Sequence, residues 1–394
     1  MNRPKFKQTE IGEIPEDWDV QKVKDIGKVV TGKTPPTKEN KYFGTNYPFV
    51  KIPDMGISVR VESTETMLSY EGAQYMRSLK LPPDSVMVSC LATIGKVGIT
   101  AKESFTNQQI NTIIPNVNKV IPGWIYYFFK NNTEYLESLG GGGSVYTNIS
   151  KSRFENAHVV VPPLSEQCAI AKILYDLDEK IELNHQINKT LESIAQAIFK
   201  RWFVDFEFPR HEKIKFVKGL PEGWRQVALG EIVKIESGKR PGEKSETKTQ
   251  DFAVSLIGAS SVMGFVKDAL YKEPILIIGR VGTHGIVQRV SWPSFPSDNT
   301  LIIRSKYFEF VYQVLKTIDY KALNVGTTQP LITQTSIKNY TILLPNVDVL
   351  NAFENSISGL FKKIAANDRE NESLIMIRDS LLPRLMSGKI RIYG

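Results

Sequence analysis

The chain has 394 residues, 41% of them hydrophobic and 23% charged, with 50 basic and 42 acidic side chains, two cysteines and four histidines. Single cores seldom grow past about 250–300 residues, so two or more domains are expected. No run of about 18 apolar residues offers a membrane span, Cys90 and Cys168 support neither a disulfide framework nor a zinc site, and MNRPKFKQTEIGEIPEDW lacks a signal-peptide core; the expected setting is the reducing cytoplasm.

From the N-terminus, the first motif is GKVVTGKT (27–34), a match to the phosphate loop G-x-x-x-x-G-K-[ST]. Such a loop opens a helix, yet Pro35-Pro36 follows here, and Pro36 biases Pro35 away from helical geometry. The segment reads as strand and turn. The runs SVMVSCL (85–91), KVGIT (96–100), NTIIP (111–115) and HVVVP (158–162) are rich in β-branched residues and read as strands. Between the last two lies GWIYYFFKNNTEYLESL (123–139), whose period is helical and fits packing on a sheet. GGGGS (140–144) reads as a flexible loop entering the last strand.

After Pro162-Pro163 comes a long helical segment. Steps of four and three pick out Ile170, Leu174, Leu177, Ile181, Asn184, Asn188, Leu191, Ala195, Ile198 and Trp202. That spacing, kept for more than four heptads, is a coiled-coil seam. At about 1.5 Å per residue the helix from Ile170 to Trp202 would run about 50 Å.

The chain then repeats itself. IPEDWDVQKVKDIGKVVTGKTP (14–35) aligns without gaps on LPEGWRQVALGEIVKIESGKRP (220–241), at an offset of 206. QINTII (109–114) meets DNTLII (298–303); matching Asn111 and Thr112 to Asn299 and Thr300 gives an offset of 188 and puts 18 missing residues before that point in copy two. WIYYFFK (124–130) aligns on FVYQVLK (310–316), and GSVYTNISKSRFENAHVVVP (143–162) on GTTQPLITQTSIKNYTILLP (326–345), where the offset is 183. The same offset carries the seam to Phe353, Ile357, Leu360, Ile364, Asn367, Asn371, Leu374, Arg378, Leu381 and Leu385. Arg378 fits a seam poorly, and Ile377 beside it is expected to take its place.

A compact domain with neighbouring termini between the two helices makes them antiparallel, with the globular domains at opposite ends. Asn184 should then face Asn371, and Asn188 face Asn367, as polar groups that fix register. The expected fold is α+β: two mixed α/β domains, 1–162 and 208–344, separated by a two-helix antiparallel coiled coil from 163–207 and 345–394, with a pseudo-two-fold internal repeat.

Residues 1–162 hold 19 basic and 16 acidic side chains, and 208–344 hold 19 and 12; the helical segments 163–207 and 345–394 hold 5 and 8, then 7 and 6. The positive surplus thus sits on the two globular domains, which suits a polyanion. Two related basic domains on a stiff spacer suit a duplex read as two half-sites. Divergence between the copies makes those half-sites different.

PPLSEQCAIAKILYDLDEKIELN (162–184), LLPRLMSGKI (381–390) and the IPEDW and LPEGW openings resemble the conserved regions and domain starts of specificity subunits of Type I restriction–modification enzymes. The resemblance covers essentially the whole chain. It implies two target recognition domains reading a bipartite site, docking of methyltransferase subunits (two per chain) and of restriction subunits through them, and no catalysis by this chain. It also implies that S-adenosylmethionine, ATP and magnesium reside on partner subunits. In keeping with this, the Pro-Pro pairs TPPT, LPPD and VPPL provide no Asn/Asp-Pro-Pro-aromatic methyltransferase motif, and no Pro-Asp is followed by a nuclease-type Asp/Glu-x-Lys. The alternatives are the specificity subunit of another restriction architecture and, in a different class, a coiled-coil adaptor whose terminal domains bind protein.

Three loop regions recur in both copies and carry the residue types that meet phosphates and base edges. In copy one they hold Lys33, Thr34, Lys38 and Lys41; Thr93 and Lys96; and Ser144, Tyr146, Asn148, Lys151 and Arg153. In copy two they hold Lys239, Arg240 and Lys244; Arg280, Thr283 and His284; and Thr327, Thr328, Gln329 and Lys338. No metal ligands are expected.

Overall fold

A computed structural model of the chain describes residues 5–56, 58–140, 148–281, 285–323 and 331–392. The chain divides into two compact units, one made of residues 1–185 with 369–394 and the other of residues 186–368. Two 40-residue helices, Leu164–Phe203 and Val347–Met386, each contribute to both units. No helix among the described residues is long and apolar enough to cross a membrane.

The first unit is built on a five-stranded sheet ordered Gly27–Thr31, Ile110–Pro115, Val86–Ser89, Val97–Thr100 and Arg60–Val61. The central strands VMVS and VGIT are buried at every position. This is why they read as continuous apolar runs rather than alternating ones. Val86 and Val88 face the helix Pro122–Asn131, packing with Trp124, Ile125 and Phe129, while Met87 turns to the other face with Val50, Met55 and Ile110. Pro122 starts that helix where its missing N–H costs nothing. A smaller sheet joins Phe105–Thr106, Phe43–Val50 and Met67–Leu68, and the pair Asp19–Lys22 and His158–Val161 closes the unit.

The second unit repeats the plan. Its main sheet runs Lys234–Ser237, Thr300–Arg304, Ile275–Gly279, Val287–Val290, beneath the helix Phe308–Thr317. Arg225–Ala228 pairs with Thr341–Leu344 as Asp19–Lys22 pairs with His158–Val161.

Strand register corrects one sequence alignment. Val29 pairs with Ile113, and its counterpart Ile235 pairs with Ile303; Val86 pairs with Ile113, and Leu276 with Ile303. The offset here is therefore 190, not 188: Gln109 and Ile110 occupy the places of Asn299 and Thr300, and 16 residues rather than 18 are missing from copy two by that point. A slide of two residues preserves which face each side chain occupies, so the apolar pattern alone tolerates both alignments.

Along the long helices, Leu174, Ile181, Asn184, Ile357, Asn367 and Asn371 are buried, and Leu177, Asn188, Leu191, Ile198, Leu360, Ile364, Leu374 and Leu381 are half-buried. Within the first unit Asn184 donates to the Asn371 side-chain oxygen at 2.8 Å. Within the second, Asn367 donates to Asn188, also at 2.8 Å. Arg378 does not yield its place to Ile377. Its guanidinium turns inward to the buried Asp178 carboxylate at 2.6 Å, and Ile377 is exposed. Asp178 also accepts from the Tyr127 hydroxyl at 2.9 Å and needs a countercharge that isoleucine lacks.

Candidate nucleic-acid interface

The Gly-Lys turn that both copies keep is fixed by its backbone. Gly32 N–H donates to the Ile110 carbonyl at 3.2 Å, and Lys33 N–H to that of Thr106 at 3.0 Å. In copy two, Gly238 donates to Thr300 at 3.1 Å and Lys239 to Pro296 at 3.0 Å. A Cβ on Gly32 would lie 2.2 Å from the Asn107 carbonyl oxygen, and one on Gly238 2.0 Å from that of Ser297. Only glycine lets the two chain segments approach this closely. These amides are therefore committed to carbonyls, and irregular chain rather than helix follows Thr34. Both facts are foreign to a loop that cradles nucleotide phosphates with free N–H groups.

From this turn the side chains project outward. Lys33, Lys38 and Lys41 are exposed, as are Lys239, Arg240 and Lys244 in copy two. Thr34 donates its hydroxyl to the Gln108 amide oxygen at 2.7 Å. The Lys33 ammonium lies 6.0 Å from the Tyr75 ring centroid, and that of Lys41 5.0 Å from the Tyr42 ring.

Asn111 joins the three regions of copy one. Its side chain accepts from Thr31 at 2.5 Å, at the base of the first region, and donates to the Ile149 carbonyl at 3.2 Å, in the third. Ile149 N–H in turn donates to the Cys90 carbonyl at 2.9 Å, and Asn148 bridges to Leu91, where the second region begins. Burial pushes the Cys90 thiol up to about 11, so it sits there as a neutral filler. Beyond it the turn holding exposed Thr93 and half-buried Lys96 is tied by Lys96 N–H donating to the Ser89 hydroxyl at 2.8 Å.

Copy two keeps the backbone half of this junction. Ile332 N–H donates to Arg280 carbonyl at 2.9 Å, and Val281 bridges to Leu331. Leu301 takes the position of Asn111, and the Gln334 amide meets Ser237 at 3.0 Å instead. Arg280 is half-buried beside the junction.

Some candidates hold structural posts. The Arg153 guanidinium donates to the Leu139 carbonyl at 3.2 Å, satisfying the end of the helix Thr133–Ser138, and Lys151 pairs with Glu155 at 3.6 Å. Lys338 packs on Gly230, ahead of the strand Lys234–Ser237, whereas Gln334 meets that strand at its far end. The structure therefore does not bring Lys338 to Lys239 and Arg240, because the short helix Gln334–Lys338 carries it away. Ser144, Tyr146, Thr283, His284, Thr327, Thr328 and Gln329 lie outside the described residues. Sequence reasoning missed Gln108, in the turn before the strand Ile110–Pro115, and Asn111, which reads as an ordinary strand position inside the repeated QINTII block. No cluster of three or more potential metal-binding side chains occurs among the described residues.

Residues 15–193 and 221–365 match the family described as the Type I restriction modification DNA specificity domain. The chain is 30% identical to the Type I restriction enzyme MjaIX specificity subunit of Methanocaldococcus jannaschii, over 98% of this chain and 96% of that protein. It is 26% identical to the MjaVIII specificity subunit of the same organism, again over 98% and 96%. In fold it is similar to the crystal structure of a Type-I restriction-modification system S subunit from M. genitalium, with a TM-score of 0.63 and 18% identity across 98% of this chain and 99% of that one.

Proposed function

The chain belongs to the Type I restriction modification DNA specificity family, and on that premise we propose that its two domains, 1–162 and 208–344, each read one half of an asymmetric, interrupted duplex site. It is the specificity subunit of a restriction–modification enzyme: it recognises sequence and leaves the chemistry to other subunits. The observation that carries the half-site reading is the repeat itself. Two family matches fall on two units with the same strand register and the same Gly-Lys turn.

The exposed cations Lys33, Lys38, Lys41, Lys239, Arg240 and Lys244 supply phosphate contacts in this reading. Asparagine pairs across the two long helices support their role as an antiparallel coiled-coil spacer, in segments 163–207 and 345–394. Methyltransferase subunits, two per chain, dock on it and bring the restriction subunits, all in the cytoplasm. S-adenosylmethionine, ATP and magnesium belong to those partners.

The test is methylome sequencing of cells expressing the chain with its cognate methyltransferase. A two-part methylated motif with unlike halves is expected. An active methyltransferase that leaves no motif would remove the reading, and would favour a protein-binding adaptor.

A further inference from the structure

The two copies differ most in one place. Val50 and Ile257 hold the same register position, as do Val86 and Leu276, so copy one carries 17 more residues between them. Within that longer stretch lie the short helix Tyr70–Tyr75 and the turn Arg77–Leu79. Copy two has the hairpin Val254–Ile257 and Val262–Val266 instead, whose exposed apolar residues are Val262 and Met263.

The added helix is firmly seated. Ser69 accepts from Gly72 N–H at 3.1 Å, and a Cβ on Gly72 would lie 2.1 Å from the Tyr42 carbonyl oxygen. On this seat Tyr70 and Tyr75 stand out at 70% and 47% exposure, the two exposed tyrosines among the described residues. Around them the surface is charged, with Lys33, Lys41, Arg77 and Lys80 beside Glu39, Glu71 and Glu103. Lys33 lies over the Tyr75 ring, Tyr75 packs on Tyr42 at 4.7 Å between centroids, and Lys41 lies over Tyr42 while Glu39 holds its ammonium at 2.8 Å. Through Lys33 the patch continues to Thr34 and Gln108. On the other side of the helix, Arg77 and Lys80 border a concavity of about 490 Å³ with Tyr47 and Tyr70.

We infer that this insertion extends the DNA-reading surface of the first domain alone, and that Tyr75 determines base preference in one half-site while Lys41 beside it contacts phosphate. The inference rests on the proposed reading of the chain as a DNA-specificity subunit. Its chemistry is that of duplex contact. Lysines neutralise phosphates, a tyrosine hydroxyl bonds phosphate or sugar oxygens, and an exposed ring packs against a thymine methyl in the major groove. A seated six-residue helix holds that ring beside the shared Gly-Lys turn, whereas copy two has no exposed tyrosine among the described residues.

The test uses the full chain with its methyltransferase in cells, mapping methylated sites, alongside competition binding to duplexes permuted in one half-site at a time. A wild-type chain without a two-part motif would remove the reading on which the inference rests. Given that motif, Tyr75→Ala should relax discrimination by about 10-fold at one or two positions of one half-site, leaving the other half unchanged, whereas Lys41→Gln should weaken binding to all duplexes alike and lower the salt slope by about 1. Unchanged preference in Tyr75→Ala overturns the inference, as does equal loss at both halves. If Tyr75→Ala lowers the melting temperature, Lys41→Gln decides, since its side chain is exposed: an unchanged salt slope overturns the inference.

Discussion

Trp18 donates its indole N–H to the Glu166 carboxylate at 2.9 Å, and Arg391 grips the same carboxylate at 2.7 and 2.9 Å. The counterpart of Trp18 is Trp224, whose buried indole N–H has no partner among the described residues, because Val349 stands where Glu166 would be. Phe208 stacks on Trp224 instead, at 5.2 Å. One copy thus seals its tryptophan with charge and the other with an aromatic ring.

Removing Glu166 leaves the buried Trp18 N–H without its acceptor, while Arg391 keeps the Asp17 carboxylate at 2.6 and 2.9 Å. Leaving a buried donor unsatisfied costs about 1–3 kcal/mol. Glu166→Ala should lower the thermal unfolding midpoint of the full chain well below that of Glu166→Gln, which keeps an acceptor for Trp18.

The asparagines form a second testable unit. Asn184→Leu alone strands Asn371, which otherwise keeps only a 3.4 Å contact with the Ile181 carbonyl. An unpaired buried amide costs about 1–3 kcal/mol. Asn184→Leu with Asn371→Leu should recover much of that loss in a denaturation cycle. A crystal structure of the quadruple Asn→Leu variant, including Asn188 and Asn367, should show a shifted or mixed helix register.

Lys239→Ala/Arg240→Ala should weaken duplex binding. If both contact phosphate, the slope of log affinity against log salt concentration falls by about 1–2. Titrations at several salt concentrations measure this directly, and an unchanged slope removes the pair from the footprint.

A pH effect follows from Glu354. Burial pushes its carboxyl above the usual range, and the N–H groups of Phe310 and Glu309, at 2.8 and 3.2 Å, pull it only partly back. The folded state therefore holds this proton to higher pH than the unfolded chain does. That contribution is fully present below the unfolded value and fades as pH rises through the folded one. Glu354→Gln removes the slope, so its melting temperature relative to wild type should be more favourable at pH 7 than at pH 4.

Much of this was legible in the sequence. The β-branched runs are strands, and the four-three spacing runs along two 40-residue helices. Where pattern carries less information, reading failed. A two-residue slide of QINTII keeps every side chain on its face, so only hydrogen-bond register separates offsets of 188 and 190. Arg378 looked like a seam defect because its partner, Asp178, lies 200 residues away. The helix Tyr70–Tyr75 has too few turns to show a period. Asn111 gains its role only when three loops converge on it.

The main-chain lock at Gly32 and Gly238 separates what must stay from what is free to drift. Two amides and one missing Cβ hold each turn, and none of these depends on what the following side chains are. Substitutions at Lys38, Arg240 or Lys244 therefore change the charge and shape the loop presents without disturbing how it is held. The outward side chains are open to single mutations, at little risk to folding, whereas the glycines are closed to change.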